Sequence, residues 1–231
     1  MNIAVVLASG KGTWIKHTDR PKQFLEIGGK PILCHTVEKF LSCGQIDHVI
    51  VAVRVDWIRY TEKLFENQAY GNISVCKGAD NRQESLFKAL VYCQEQLHVP
   101  EDAIIVSHDA VRPFVTKEII NANIQAMNDA QAITTVIPAT DTIIQSTDHA
   151  VLTGIMERSQ LYQVQTPQTF HLQAYLDIYQ TLDASMLSQM TDVSGIFYSQ
   201  GIPVTLVQGM KENIKITTDE DLKLAEYLLH G

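Results

Sequence analysis

Ile3-Ala4-Val5-Val6-Leu7-Ala8-Ser9-Gly10-Lys11-Gly12-Thr13, closed by Pro21-Lys22-Gln23, opens this chain and decides its fold. The apolar run Ile3–Leu7 has the length and composition of a buried strand. A glycine-rich turn at the carboxyl end of a parallel strand is where an open α/β sheet holds a phosphorylated ligand. Gly10 and Gly12 let the backbone approach phosphate oxygens, and successive N–H groups there form an anion-binding nest. Lys11 and Lys22 add positive charge. A Rossmann fingerprint needs a third glycine where the chain has Ile15, and a Walker-type loop needs one where it has Val5. For G-x-G alone, a tight turn with basic surface residues is an equally good account. P-K-Q, following with no helical pattern between, favours a nucleoside triphosphate loop.

Working outward, apolar segments alternate between strand and helix. Strands are expected at 2–7, 48–53, 72–76, 103–107, 132–137 and 203–208. Helices are expected at 31–42, 57–68, 82–97, 116–128, 171–182, 191–199 and 218–229. That alternation specifies a mainly parallel sheet with helices on both faces. Thr218 and Asp221 form a capping-box variant opening the last helix. Asp141–Gln145 and Val151–Ile155 break the rhythm as a β-hairpin, so 1–231 is expected to be one domain with a protruding β-arm at about 140–164. The arm's apolar positions have no evident partner in the sheet; either a second subunit covers them or the hairpin folds back.

The 231-residue length and 45 % hydrophobic content suit such a domain. No apolar run reaches the roughly 18 residues of a membrane helix, and the chain begins directly on a strand, so neither membrane insertion nor a signal peptide is expected. Cys34, Cys43, Cys76 and Cys93 lack C-x-x-C spacing and fit reduced cytoplasmic thiols. A net charge of −8 argues against nucleic acid as a partner. Anionic small molecules would have to be drawn in by a few concentrated cations.

Several short segments carry candidate chemistry. Asp109, in His108-Asp109-Ala110-Val111-Arg112-Pro113-Phe114, follows the strand at 103–107 and suits a hard Mg2+ ion. An Asp109–Arg112 ion pair organising the turn explains it equally well. In Gly78-Ala79-Asp80-Asn81-Arg82-Gln83-Glu84-Ser85, Asp80 or Asn81 caps a helix; small polar groups there can also read a nucleobase edge. Lys215, in Asn213-Ile214-Lys215-Ile216-Thr217-Thr218, is either a phosphate ligand or a surface lysine. Gln165-Thr166-Pro167-Gln168-Thr169-Phe170 reads as a polar, proline-fixed turn, with Arg158 just before it on the arm. The histidines have no zinc spacing.

In their order along the chain, the glycine loop with Pro21-Lys22-Gln23, Gly78–Ser85, His108–Phe114, Thr140-Asp141-Thr142, Gln165–Phe170 and Asn213–Thr218 resemble the cytidylyltransferases that activate small polyol phosphates, from Ile3 to Leu229. Two branches fit, acting on 2-C-methyl-D-erythritol 4-phosphate in isoprenoid synthesis or on ribitol 5-phosphate in teichoic-acid or capsule-type polymer synthesis. Asp56-Trp57-Ile58, His108–Phe114, Leu161–Phe170, Thr191-Asp192 and Gly195-Ile196-Phe197 resemble the ribitol branch more.

The resemblance implies a Rossmann-like nucleotidyltransferase fold and a cytoplasmic, Mg2+-dependent enzyme turning CTP and D-ribitol 5-phosphate into CDP-ribitol and pyrophosphate. It implies that Leu7, Ala8, Ser9, Gly10, Lys11 and Gly12 wrap the CTP phosphates. Lys22 and Lys215 would act on the α-phosphate as the catalytic cations. Ala79, Asp80, Arg82 and Ser85 would receive the nucleoside, and Asp109 the ribose or Mg2+. Arg112, Thr142, Arg158, Thr166 and Thr191 would surround the polyol phosphate, some of them contributed across a homodimer by the arm.

One position departs from that pattern. The family places an arginine two residues after the second loop glycine, where this chain has Trp14. Losing such a contact to the departing pyrophosphate typically costs about 10²–10³ in rate, unless Lys11, Lys16 or Arg20 compensates. A non-catalytic nucleotide-binding protein is the competing expectation from another class.

Overall fold

β1 (Asn2–Ala8) is the spine of the sheet in the computed structural model, which describes residues 1–10, 20–66 and 71–230. Its side chains alternate between two buried faces: Ile3 and Val5 enter one core, Ala4 and Val6 the other. Burial on both faces is why the strand reads as a continuous apolar run.

The remaining strands are β2 (Glu26–Ile27), β3 (Lys30–Pro31), β4 (His48–Val53), β5 (Ile73–Lys77), β6 (Ile104–Asp109), β7 (Ala132–Pro138), β8 (Ile144–Gln145), β9 (Gly154–Ile155), β10 (Tyr162–His171) and β11 (Val204–Gln208). The helices are α1 (Ile32–Leu41), α2 (Ile58–Glu66), α3 (Arg82–Leu97), α4 (Lys117–Ala126), α5 (Leu172–Thr181), α6 (Ala184–Gln189), α7 (Val193–Ser199) and α8 (Asp219–His230). The central sheet runs β11-β7-β10-β6-β1-β4-β5; β10 is antiparallel to both neighbours and every other pairing is parallel. Helices α3, α5 and α7 cover one face around Leu86, Leu90, Tyr175 and Phe197. The other face packs Leu33 and Phe40 of α1 with Ile119 and Ile120 of α4.

Most expected elements stand within a residue or two of their sequence positions, and four differ. Gln165–Phe170 is not a turn but the middle of β10. Its polar side chains are buried because they bond to one another's neighbours: Thr169 to Asn123, Gln165 to Asn213 and Met210. Pro167 falls in a register shift between Val164 and Gln168, where no ladder N–H is required of it. Asp109 lies in β6 as its last residue, not beyond it. The helix expected at 191–199 begins at Val193, after the cap Asp192, and α6 precedes it. The helix expected at 57–68 is α2 from Ile58 to Glu66, preceded by a single 3-10 turn at Val55–Trp57; residues 67 and 68 lie outside the described residues.

The arm forms as expected, β8 pairing antiparallel with β9. Ile144, Leu152 and Ile155 are 54, 52 and 70 % exposed, so within this chain the hairpin does not fold back to cover them. The last helix opens on the expected box: Thr218 Oγ1 accepts from the Asp221 N–H while Asp221 accepts from the N–H groups of Thr217 and Thr218. Among the described residues, no helix is long and apolar enough to cross a membrane. All four cysteines are free and buried, and burial pushes the Cys76 and Cys93 thiols up to about 12.

Candidate active site

The parallel register places Ala8 opposite Val53, and Leu7 opposite Asp109, so β1, β4 and β6 end on one edge of the sheet. The loops leaving those ends form a cleft lined by Leu7–Gly10, Ala79–Arg82, Ser85, Asp109–Val111, Lys22 and Lys215. This is the crevice at the carboxyl ends of the strands where open α/β sheets bind ligands.

Pro21-Lys22-Gln23 belongs to the cleft for a mechanical reason. The buried Gln23 side chain donates to the carbonyls of Ala8, at 2.6 Å, and Gly10, at 3.3 Å, tying the 3-10 turn Lys22–Phe24 to the start of the glycine loop. Phe24, stacked on Trp57 with centroids 4.8 Å apart, anchors the other end of the turn. Lys22 therefore projects from a turn fixed on both sides.

Asp109 is the electrostatic centre. Lys215 Nζ lies 2.8 Å from Oδ2, Arg82 Nε 3.2 Å from Oδ1 and Arg112 Nε 3.9 Å from Oδ2. Burial by itself would raise the Asp109 carboxyl; Arg82, Lys215 and Arg112 outweigh it and hold the group well below the usual carboxylate range. Lys22 is lowered by burial and by repulsion from Lys215, with Asp109 and Asp221 offsetting part of the shift. The cleft thus gathers cations around one carboxylate.

A hydrogen-bond chain fixes that carboxylate's strand end. Thr166 Oγ1 accepts from the Asp109 N–H and donates to His108 Nδ1. His108 Nε2–H then donates to the Arg112 carbonyl. Burial lowers His108 to about 4, so the imidazole is neutral and this tautomer follows from its partners. Thr166 is buried, with its hydroxyl committed to this chain.

The loop into α3 is equally organised. Asn81 caps the helix by accepting from the Glu84 N–H. Ser85 Oγ accepts from the Ala79 N–H and donates to the Asn81 carbonyl. Asp80 pairs with Arg54, 3.0 Å away at the end of β4. Nothing local in the sequence marks Arg54 beyond its place after a strand's carboxyl end. Gln168, turn-like in the sequence, accepts from Arg82 through Oε1 at 3.3 Å.

Eleven of the residues singled out in sequence share this cleft: Leu7, Ala8, Ser9, Gly10, Lys22, Ala79, Asp80, Arg82, Ser85, Asp109 and Lys215. Lys11, Gly12 and Trp14 lie outside the described residues. Arg112 adjoins the cleft, donating from Nη1 to the Asn213 carbonyl. Thr142 and Arg158 stand exposed on the arm, Arg158 donating to the Thr140 carbonyl, and Thr191 is exposed before the α7 cap. None of these three lines the cleft in this chain.

The donor set bears on Mg2+. The described residues contain no group of three or more histidine, cysteine, aspartate or glutamate side chains able to build a metal cage. One carboxylate beside a polyphosphate-sized cluster of cations fits a hard ion carried by a triphosphate.

A mostly parallel α/β sheet with a cation-lined cleft at its carboxyl edge defines an α/β nucleotidyltransferase-like protein. Residues 2–231 match the family described as IspD, 2-C-methyl-D-erythritol 4-phosphate cytidylyltransferase, and the chain belongs to that family of CTP-dependent cytidylyltransferases. It is 40 % identical to a ribitol-5-phosphate cytidylyltransferase of Lactiplantibacillus plantarum, over 99 % of this chain and 98 % of that one. Among solved structures it resembles 4-diphosphocytidyl-2C-methyl-D-erythritol synthase of Anaerococcus prevotii (TM-score 0.84, 28 % identity, 100 % of this chain and 98 % of that one). It also resembles the 2-C-methyl-D-erythritol 4-phosphate cytidylyltransferase of Francisella tularensis (TM-score 0.81, 28 % identity, 98 % of each chain).

Proposed function

We propose that this chain is a cytoplasmic homodimeric enzyme that transfers CMP from CTP to D-ribitol 5-phosphate, releasing pyrophosphate, for teichoic-acid or capsule-type polymer synthesis. The observation that carries the chemistry is the meeting of Lys22 and Lys215 on one cleft beside Asp109. The choice of polyol rests on the 40 % identity to the ribitol-5-phosphate relative and on the ribitol-like segments at 56–58 and 161–170.

In this reading 1–231 is one catalytic unit with the arm at 140–164. A phosphate oxygen of the polyol attacks the α-phosphorus of CTP in line, the new P–O bond forms, and the bond to the β-phosphate oxygen breaks. Lys22 and Lys215 meet the charge that grows on the α-phosphate. No side chain is needed as a nucleophile; positioning and charge stabilisation suffice. Leu7–Gly12 hold the phosphates, and Ala79, Asp80, Arg82 and Ser85 the nucleoside. Asp109 would hold Mg2+, which when bound neutralises triphosphate oxygens. Arg112 and Thr191 approach the polyol phosphate from this chain, with Thr142 and Arg158 supplied by the partner's arm. Thr166 acts from beneath, through Asp109 and His108.

Pyrophosphate release with CTP and each of the two polyol phosphates tests the proposal. Faster turnover of D-ribitol 5-phosphate is expected; preference for 2-C-methyl-D-erythritol 4-phosphate would replace the substrate, and turnover of neither would replace the acceptor class.

A further inference from the structure

Gln168 is fully buried in the middle of β10, opposite Ser107 of β6 and Thr134 of β7. Its two ends meet opposite chemistry. Oε1 accepts from Arg82 Nη2, at 3.3 Å, and from the Val193 N–H, at 3.3 Å. Nε2 faces three acceptors: Thr134 Oγ1 at 3.1 Å, Asp192 Oδ2 at 3.1 Å and Ser194 Oγ at 2.9 Å. Only a primary amide presents an acceptor to the first pair and donors to the second. Arg82 in turn reaches the Asp109 carboxylate, and its Nη1 is buried without a hydrogen-bond partner among the described residues. Its position in the cleft is therefore set from two sides, by Asp109 and by Gln168.

We propose that Gln168 is a positioning residue that holds Arg82 in the nucleotide cleft and locks it to the α7 cap at Asp192. It touches no substrate and acts through Arg82. The proposal rests on the reading of Arg82 and Asp109 as part of the CTP site. The segment around Thr191 and the nucleoside wall are, on this account, joined through one amide.

The chemistry supplies an isosteric test. Gln168→Glu keeps an acceptor towards Arg82 but sets an oxygen against the Asp192 carboxylate, where an N–H stood. Asp192→Asn returns a donor there and still caps α7, since asparagine caps as well as aspartate. In calorimetry, Gln168→Glu is expected to weaken CTP binding by about tenfold, the scale of one hydrogen bond to a charged group. At saturating CTP, kcat is expected to change much less, and Gln168→Glu/Asp192→Asn to recover most of the affinity. An unchanged CTP Kd in the single variant overturns the assignment, as does failure of the double variant to recover it. If Gln168→Glu does not fold, Gln168→Met carries the same measurement, and normal CTP affinity there overturns it equally. A parent protein that binds no CTP would fault the nucleotide-site reading instead.

Discussion

Lys215 Nζ donates to Asp109 Oδ2 across 2.8 Å, joining the loop before α8 to the end of β6 over the floor of the cleft. The same ammonium lowers Lys22 by repulsion. One cation thus contacts the carboxylate proposed to hold Mg2+ and repels the other cation proposed to meet the α-phosphate. The two lysines form an interacting unit.

Lys22→Ala and Lys215→Ala are each expected to lower turnover by roughly 10²-fold or more, with a double variant less than additive. Lys22 also carries a pH signature. Its pKa is depressed, so it loses its proton, and the site its charge, at a lower pH than an ordinary lysine. Activity should fall on the alkaline side, in kcat/KM for CTP, which reports the free enzyme. Lys215→Gln removes the repulsion, raises the Lys22 pKa and moves that limb to higher pH. A limb that stays in place in this variant separates the two lysines.

Gly78 has no room for a methyl group. A Cβ there would lie 1.8 Å from Ser9 Oγ and 3.0 Å from Ser9 Cβ. Ser9 lines the cleft, so Gly78→Ala is expected to raise KM for CTP about tenfold by displacing the phosphate loop. Adding Ser9→Gly restores the space, and recovery of KM in the pair checks the steric cause.

His108 predicts an acid sensitivity of stability. Its folded pKa is about 4 against an ordinary 6.5, so in that interval the unfolded chain binds a proton the folded chain refuses. Stability therefore falls as pH drops from about 6.5 to about 4. His35 and His48, also lowered by burial, push the same way. Denaturant titrations should show a shallower acid loss in His108→Gln; an identical slope would place the sensitivity elsewhere.

The arm exposes Ile144 and Ile155 on a two-stranded hairpin. Such a face is covered when a second subunit pairs with it. On the proposed homodimer, Ile144→Asp is expected to weaken association in sedimentation and to lower turnover in parallel, since the proposed reach of Thr142 and Arg158 into the partner's cleft would be lost. A fully active monomer counts against the shared site.

Trp14 stands where the resemblance to the cytidylyltransferases leads one to expect an arginine. Trp14→Arg is expected to raise turnover roughly tenfold by adding a bidentate phosphate contact. No change points to Lys11, Lys16 or Arg20 as the substitute, and a fall gives tryptophan a role of its own.

The sequence by itself determined the strand–helix alternation, the glycine loop after β1, the capping box at Thr218 and the arm at 140–164. Each is written in local signals: continuous apolar runs, fixed turn residues, a serine or threonine before acidic residues. Ten residues of the final cleft besides Lys22 stand in short segments legible in the sequence, most of them at the end of a strand or the start of a helix. Tertiary structure alone decided β10. Gln165, Thr166, Gln168 and Thr169 look like turn residues because nothing local shows that Asn213, His108, Arg82 and Asn123 wait to bond them. Arg54 was invisible for the same reason, its partner Asp80 being brought to it across the sheet edge. A polar side chain can be central when distant partners satisfy it, and only the folded chain brings those partners together.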